Sequence, residues 1–105
     1  MATPCIFLAV AAAAVAMAAF PAHGATVEMT IENLAFHPAE IKVSAGDRIV
    51  WTNKDVVAHT ATVDGGFDVV IQPKKSAATV VKTPGLLNYH CRLHPNMKGR
   101  IEVGQ

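Results

Sequence analysis

Hydrophobic and polar residues alternate along short stretches of residues 25–105. In the first stretch, Val27, Met29 and Ile31 alternate with acidic and hydroxyl side chains. A period of two places one apolar and one polar face on an extended chain, as in a half-buried β-strand. The same alternation, or a short β-branched run, predicts further strands at residues 40–44, 48–53, 59–63, 77–82, 86–91 and 100–103.

Turn signals separate these strands, and the region contains no helical period. Gly46 and Gly65 stand in the turns Ala45–Asp47 and Asp64–Gly66, and we expect Gly46 to adopt a positive φ. Many short strands at this spacing predict an all-β sandwich or barrel of seven to eight strands. We expect its core to contain Phe36, Trp51, Val63, Val80 and Ile101.

The first twenty residues differ from the rest because they carry no charge and are almost all apolar. The run from Cys5 to Phe20 is shorter than the ~20 residues of a membrane-spanning helix. Pro21 follows, and small residues occupy the −3 and −1 positions of a cleavage site after Gly24. We therefore predict a cleaved signal peptide at 1–24, a mature domain at 25–105 without a membrane span, and export to the periplasm or an equivalent compartment. An uncleaved anchor is the alternative, because the segment lacks Lys and Arg before its apolar run.

Charge and cysteine content narrow the function classes. The formal net charge is +1, and no block of Lys and Arg occurs, which argues against binding nucleic acid. Removal of the signal peptide would take Cys5 with it and leave Cys91 as a single thiol, so we expect no internal disulfide. A lone thiol in an oxidising compartment needs protection, and a metal ion can provide it.

The most informative motif is Cys91, His94 and Met97, spaced C-x2-H-x2-M between two predicted strands. A thiolate, an imidazole and a thioether are three of the four donors of blue-copper electron-transfer sites, which take two histidines, one cysteine and a weak axial methionine. Zinc is the competing metal, but methionine is a poor zinc ligand. The motif therefore predicts a copper site that needs one more histidine.

Three further histidines of the predicted mature domain could complete the set. His59 is the best candidate, because it opens a predicted strand after a polar turn and so lies at a strand end, as Cys91 does. His90 directly precedes Cys91 on a strand, so its side chain should leave by the opposite face. His37 precedes Pro38 in a connection, where we expect it to be solvated.

The chain resembles the small blue copper proteins, or cupredoxins, and within them the amicyanin-like group, whose short C-x2-H-P-x-M loop it shares. The resemblance covers residues 27–103 and is carried by Phe36–Ile41, Ala45–Asp47, Val50–Asn53, Ala58–Thr60 and, most specifically, Tyr89–Gly99. It implies a Greek-key β-sandwich with the metal at one end. It also implies one type 1 copper ion held by His59, Cys91, His94 and the axial Met97.

Two positions depart from the family pattern. Thr60 stands where relatives often have an asparagine that braces the cysteine loop, and Ala58 stands where many have proline. A threonine hydroxyl can still donate and accept a hydrogen bond. The resemblance therefore makes Thr60 a candidate supporting residue around the ligands, with the strength of its bracing open.

The resemblance implies a monomeric one-electron carrier rather than an enzyme. Its partners would be larger redox proteins, such as a dehydrogenase donor and a c-type cytochrome acceptor. We expect them to dock on an apolar patch around His94, formed by Leu93, Pro95 and Val57. The same ligands would also serve a copper-binding or trafficking module without an electron partner. A third alternative is a structural sandwich in which Cys91 is simply buried.

Overall fold

The computed structural model describes residues 24–105, which form nine strands and no helix. The predicted signal peptide, residues 1–24, lies outside the described residues except for Gly24. No helix in the described part of the chain is long and apolar enough to cross a membrane. The strands are β1 (Thr26–Glu32), β2 (Ala35–His37), β3 (Glu40–Ser44), β4 (Arg48–Asn53), β5 (His59–Thr62), β6 (Asp68–Ile71), β7 (Ser76–Val80), β8 (Gly85–Cys91) and β9 (His94–Gly104).

The strands form two sheets, which confirms the predicted all-β sandwich. The first sheet has the order β2-β1-β4-β7, and the second has the order β3-β9-β8-β5-β6. The pairs β1–β4 and β3–β9 are parallel, and the remaining neighbours are antiparallel. Non-consecutive strands are therefore neighbours in both sheets, as crossovers between the sheets require.

Three aromatic rings join the two sheets in the core. Tyr89 of β8 packs edge-on against Phe36 of β2, with ring centroids 4.7 Å apart, and against Trp51 of β4 at 5.2 Å. All three side chains are buried, as is Ile101 of β9. Edge-to-face aromatic pairs contribute about 0.5–1.5 kcal/mol beyond the area they bury. This cluster fixes how the two sheets pack.

The sequence pattern missed two short strands, and for a third strand it predicted the wrong set of residues to face the core. β2 and β6 contain only three and four residues, too few to display an alternation. Val80, predicted for the core, is 46% exposed, whereas Val81 is buried. Ala77 and Thr79 face inward with Val81, so the alternation of β7 is shifted by one residue from the predicted phase. The predicted positive φ of Gly46 is confirmed at 97°.

The topology brings the ends of three neighbouring strands together at one end of the second sheet. His59 begins β5, Cys91 ends β8 and His94 begins β9, and these strands are neighbours in the order β9-β8-β5. β8 is antiparallel to both neighbours, so its C-terminal end lies near the N-terminal ends of both: Cys91 pairs with His94, the first residue of β9, while His90 pairs with Thr62 of the four-residue strand β5. Residues separated along the chain are thereby collected at one end of the sandwich.

Replacing Gly99 by alanine tests the packing of Tyr89. Gly99 pairs with Tyr89 across β8 and β9, and a Cβ there would overlap the tyrosine ring and hydroxyl and lie 2.6 Å from the Ala39 carbonyl oxygen. We expect Gly99→Ala to lower the free energy of unfolding by about 1–3 kcal/mol, the usual cost of overpacking a core. Urea denaturation measures the change.

Gly104→Ala is the matched control, because it lies in the same strand and its added Cβ would approach no atom closer than 3.7 Å. We expect the control to retain the stability of the original protein. Equal stability of the two variants would contradict the packing assigned to Tyr89.

Candidate metal centre

A two-residue turn places Cys91 opposite His94. The turn consists of Arg92 and Leu93, and Cys91 pairs with His94 directly across it. The sequence predicted a loop from Cys91 to Arg100, but β9 already begins at His94. The x2 spacing of the motif therefore corresponds to a tight hairpin turn that brings the thiol and the imidazole together.

A bulge in β9 returns Met97 to the interior. His90 pairs with Lys98, whereas the next residue, Cys91, pairs with His94, so Pro95 to Met97 have no partners on β8. Bulges commonly redirect a side chain in this way. Pro95 is exposed and Met97 is only 3% exposed. The second x2 spacing thus places the thioether on the buried side of the motif.

Three donor atoms converge at this end of the sandwich. His59 Nδ1 lies 3.2 Å from His94 Nδ1, and Cys91 Sγ lies 3.5 Å from His94 Nδ1 and 3.9 Å from His59 Nδ1. His59 and Cys91 are fully buried, and His94 is half-buried. Of the three candidate histidines, His59 is therefore the one that the structure brings to Cys91 and His94.

The size of this triangle fits a transition metal ion. A point equidistant from the three atoms lies about 2.1 Å from each, close to the ~2.0–2.3 Å of metal–imidazole and metal–thiolate bonds. The donors are one thiol and two imidazoles, with the thioether of Met97 buried nearby in the chain. This donor set is the one that blue-copper sites use.

Asp55 orients the ring of His59. Its Oδ2 atom lies 2.8 Å from His59 Nε2. An ionised carboxylate only accepts hydrogen bonds, so Nε2 donates to Asp55, and Nδ1 is the ring nitrogen that faces Cys91 and His94. A carboxylate in this position fixes the tautomer of a metal-binding histidine and makes it a stronger ligand.

Asp55 is itself held by the backbone. The amides of Asn33 and Leu34, in the β1–β2 turn, donate to its two carboxylate oxygens at 2.8 and 3.0 Å. Partial burial acts to raise the pKa of Asp55, but these two hydrogen bonds and the His59 ring outweigh it and lower the pKa. The carboxylate therefore stays ionised and links the β1–β2 turn to His59.

Asn53 closes the loop that precedes His59. Its fully buried side chain accepts a hydrogen bond from the Asp55 amide at 2.9 Å and donates to the Val57 carbonyl at 2.9 Å. It also reaches the carbonyls of Ile71 and Gln72 at 3.1 and 3.2 Å. A side chain with four such contacts fixes the approach of the loop to β5.

Thr60 contacts the cysteine loop through both its backbone and its side chain. Its amide donates to Cys91 Sγ at 3.3 Å, and its hydroxyl accepts from the Arg92 amide at 2.8 Å. The first contact supports negative charge on the sulfur, and the second ties the turn after Cys91 to β5. The hydroxyl contact is a bracing of the cysteine loop by the Thr60 side chain.

The other two candidate histidines, His37 and His90, lie apart from the cluster. His37 is exposed in β2, and its Nε2 lies 3.1 Å from the Glu32 carbonyl oxygen. His90 is half-buried on the other face of β8, with Nε2 4.0 Å from Asp64.

Sequence reasoning missed Asp55 and Asn53, which stood in a stretch read only as a polar turn. An acidic residue four positions before His59 was the available signal.

Exposed apolar side chains lie close in sequence to the donor residues His94 and His59. Leu93 is 51% exposed and Val57 is 43% exposed, and Pro95 is also exposed. Val56, which follows Asp55 in the chain, is also exposed. Leu34, whose amide donates to Asp55, is exposed as well. Exposed apolar residues therefore occur in the Cys91–His94 turn, in the loop before His59 and in the β1–β2 turn that holds Asp55.

Comparisons with known proteins agree with this fold. The family described as cupredoxin-like domain matches residues 5–103. Amicyanin-alpha of Methylorubrum extorquens is 26% identical over 85 residues, covering 74% of this chain and 71% of the relative. Amicyanin of Paracoccus denitrificans is 26% identical over 93 residues, covering 82% and 70%. A Cu(I) structure of an amicyanin variant superposes with a TM-score of 0.69 at 20% identity, covering 74% and 81% of the two chains.

Proposed function

The chain belongs to the cupredoxin-like family of blue copper proteins, and on that basis we propose that it is an exported carrier of single electrons between redox proteins. Its relatives include amicyanins, which are electron carriers. The observation that carries the proposal is the buried convergence of one thiol and two imidazole nitrogens within 3.9 Å of one another.

His59 Nδ1, His94 Nδ1, Cys91 Sγ and the thioether of Met97 would hold the copper ion, with the thioether as the weakest donor. The bound ion would supply a reversible Cu(II)/Cu(I) couple. Burial of His59, Cys91 and Met97 supports a site closed to water on its inner side. Four protein ligands leave no open position for a substrate, which supports a carrier rather than an enzyme.

The surrounding residues hold the ligands in one arrangement. Asp55 fixes the ring of His59, and the Thr60 amide donates to Cys91 Sγ. A site whose donors are held by hydrogen bonds changes shape little between oxidation states, which favours fast electron transfer. This rigidity favours the carrier over a trafficking module, because a protein that must release copper benefits from ligands that move apart.

We propose that partners dock on the apolar surface around His94, centred on Leu93 and Pro95. Exposed apolar side chains next to a half-buried ligand give a partner a short electron path and a surface that can be desolvated. A dehydrogenase as donor and a c-type cytochrome as acceptor would fit a periplasmic protein related to amicyanins. A monomer leaves this surface free for each partner in turn.

Addition of Cu(II) to the purified protein tests the metal assignment. We expect an intense blue colour from thiolate-to-copper charge transfer, bleached by ascorbate and restored by reoxidation. Cys91→Ala should abolish the colour, because it removes the thiolate. His37→Ala should retain it, since His37 lies outside the donor cluster.

Each other outcome selects an alternative. Absence of colour in the original protein would contradict the copper assignment, and tight zinc binding without a visible band would favour a zinc site. Blue colour with rapid loss of copper to a chelator would favour trafficking.

Leu93→Glu tests the docking surface. Burying the glutamate charge without a partner at the interface costs more than ~1.4 kcal/mol, the free energy that corresponds to a tenfold change in affinity. We therefore expect electron transfer to a c-type cytochrome to slow on the order of tenfold or more. Stopped-flow spectroscopy measures this rate, and the visible spectrum of the copper site should not change.

Leu86→Glu is the matched control. Leu86 is similarly exposed, at 55%, but lies near the start of β8, at the opposite end of the strand from Cys91. The control should transfer electrons at the original rate. An unchanged rate in Leu93→Glu, or an equal loss in both variants, would remove the docking surface from the proposal.

A further inference from the structure

A closed ring of hydrogen bonds joins the cysteine turn to β5 and β6. The Arg92 amide donates to Thr60 Oγ1 at 2.8 Å, and Thr60 Oγ1 lies 2.9 Å from Thr62 Oγ1. The Thr62 hydroxyl donates to Asp68 Oδ1 at 2.7 Å. The ring closes on the same oxygen, which accepts from Arg92 Nε at 3.0 Å. Arg92 therefore enters the ring twice, once through its backbone and once through its guanidinium.

The strand register explains how these residues meet. Thr60 and Thr62 are two positions apart on β5 and therefore share a face. Thr62 pairs with Asp68 across β5 and β6, and β5 also runs beside β8, which ends at the residue before Arg92. Both threonines are buried, at 1% and 7% exposure. The ring thus extends from a half-exposed ion pair to the interior beside Cys91.

The carboxylate determines the direction of every hydrogen bond in the ring. Asp68 can only accept, so the single hydroxyl proton of Thr62 points to it. Thr62 must then accept from Thr60, which leaves the lone pairs of Thr60 Oγ1 for the Arg92 amide. The hydrogen bonds from Arg92 and then from Thr62 lower the pKa of Asp68, so the acceptor is ionised at neutral pH. Hydrogen bonds aligned in this way strengthen one another.

We propose that Thr62, Asp68 and the guanidinium of Arg92 are positioning residues for the copper site, acting through Thr60 on Cys91. The ring holds the side-chain hydroxyl of Thr60 in place, and the backbone amide of the same residue donates to Cys91 Sγ at 3.3 Å. The ring fixes the turn after Cys91 against β5 and so maintains that contact. This inference rests on the proposed function, in which Cys91 is the copper thiolate.

The contact between the Thr60 amide and the sulfur predicts the sign of the effect. A hydrogen bond to a thiolate withdraws negative charge from it, which weakens its donation to Cu(II) more than to Cu(I). Loosening the ring should lengthen this hydrogen bond and favour Cu(II). The reduction potential should therefore fall, by about 59 mV for each tenfold change in the ratio of the two affinities.

Thr62→Val is the main test, because valine preserves the branched shape and removes both hydrogen bonds. We expect faster hydrogen exchange of the Arg92 and Thr60 amides in the metal-free protein and, after copper loading, a lower reduction potential and a shifted thiolate charge-transfer band. Thr62→Ser should restore all three values, because serine retains the hydroxyl.

Asp68→Ala is the second test, since it removes the anchor at a half-exposed position where folding should be retained. Asp64→Ala is its control, because it removes the same charge from a residue that is 94% exposed and outside the ring. Asp68→Ala should reproduce the changes of Thr62→Val, and Asp64→Ala should not.

Two failures can be distinguished. If the original protein forms no blue site, the proposed function fails, and amide exchange still tests whether the ring holds the turn. If the original protein is blue and both ring variants keep its amide exchange, potential and spectrum, the ring has no positioning role. Equal effects of Asp68→Ala and Asp64→Ala would also overturn the inference, because net charge alone would explain them.

Discussion

The packing of Tyr89 between the two sheets sets the phase of β8, and the metal centre depends on that phase. The ring lies against Phe36 and Trp51, its hydroxyl donates to the Ala39 carbonyl at 3.3 Å, and Gly99 opposite leaves it room. Cys91 is two residues further along the strand and therefore points to the same interior face. A slip of one residue would turn the thiol to the outside and bring His90 inward.

The remaining donors are held by contacts from other parts of the fold. His59 is oriented by Asp55, which the amides of the β1–β2 turn hold in turn. The turn after Cys91 is tied to β5 through the Thr60 hydroxyl. The first sheet thus supports one histidine and the second sheet supports the cysteine. The geometry of the site therefore depends on how the two sheets pack.

The sequence was most informative where chemistry and spacing coincide. Cys91, His94 and Met97 could be identified because three soft donors occur within seven residues, and His59 because it opens a strand. Strand β6 was missed because it is short, and Val80 was placed inward because a run of two valines does not reveal which of them faces the core.

The supporting contacts were beyond the reach of the pattern for a different reason. Asp55 lies in a polar turn and Asp68 begins the short strand β6, and their roles arise only when loops and neighbouring strands bring them to His59 and to Thr62. Thr60 could be suspected from its position after His59, but its partners are remote in sequence. Hydrogen-bond networks between strands leave no periodic signal.

The fold brings the thiol of Cys91 and the imidazoles of His59 and His94 to one point, and we propose that a copper ion binds there. A crystal structure of the copper-loaded protein, with anomalous differences measured at the copper absorption edge, tests it most directly. We expect one copper peak in contact with Cys91 Sγ and with Nδ1 of His59 and His94. A peak elsewhere, for example at His37 or between His90 and Asp64, or a copper ion bound without Cys91, would contradict it.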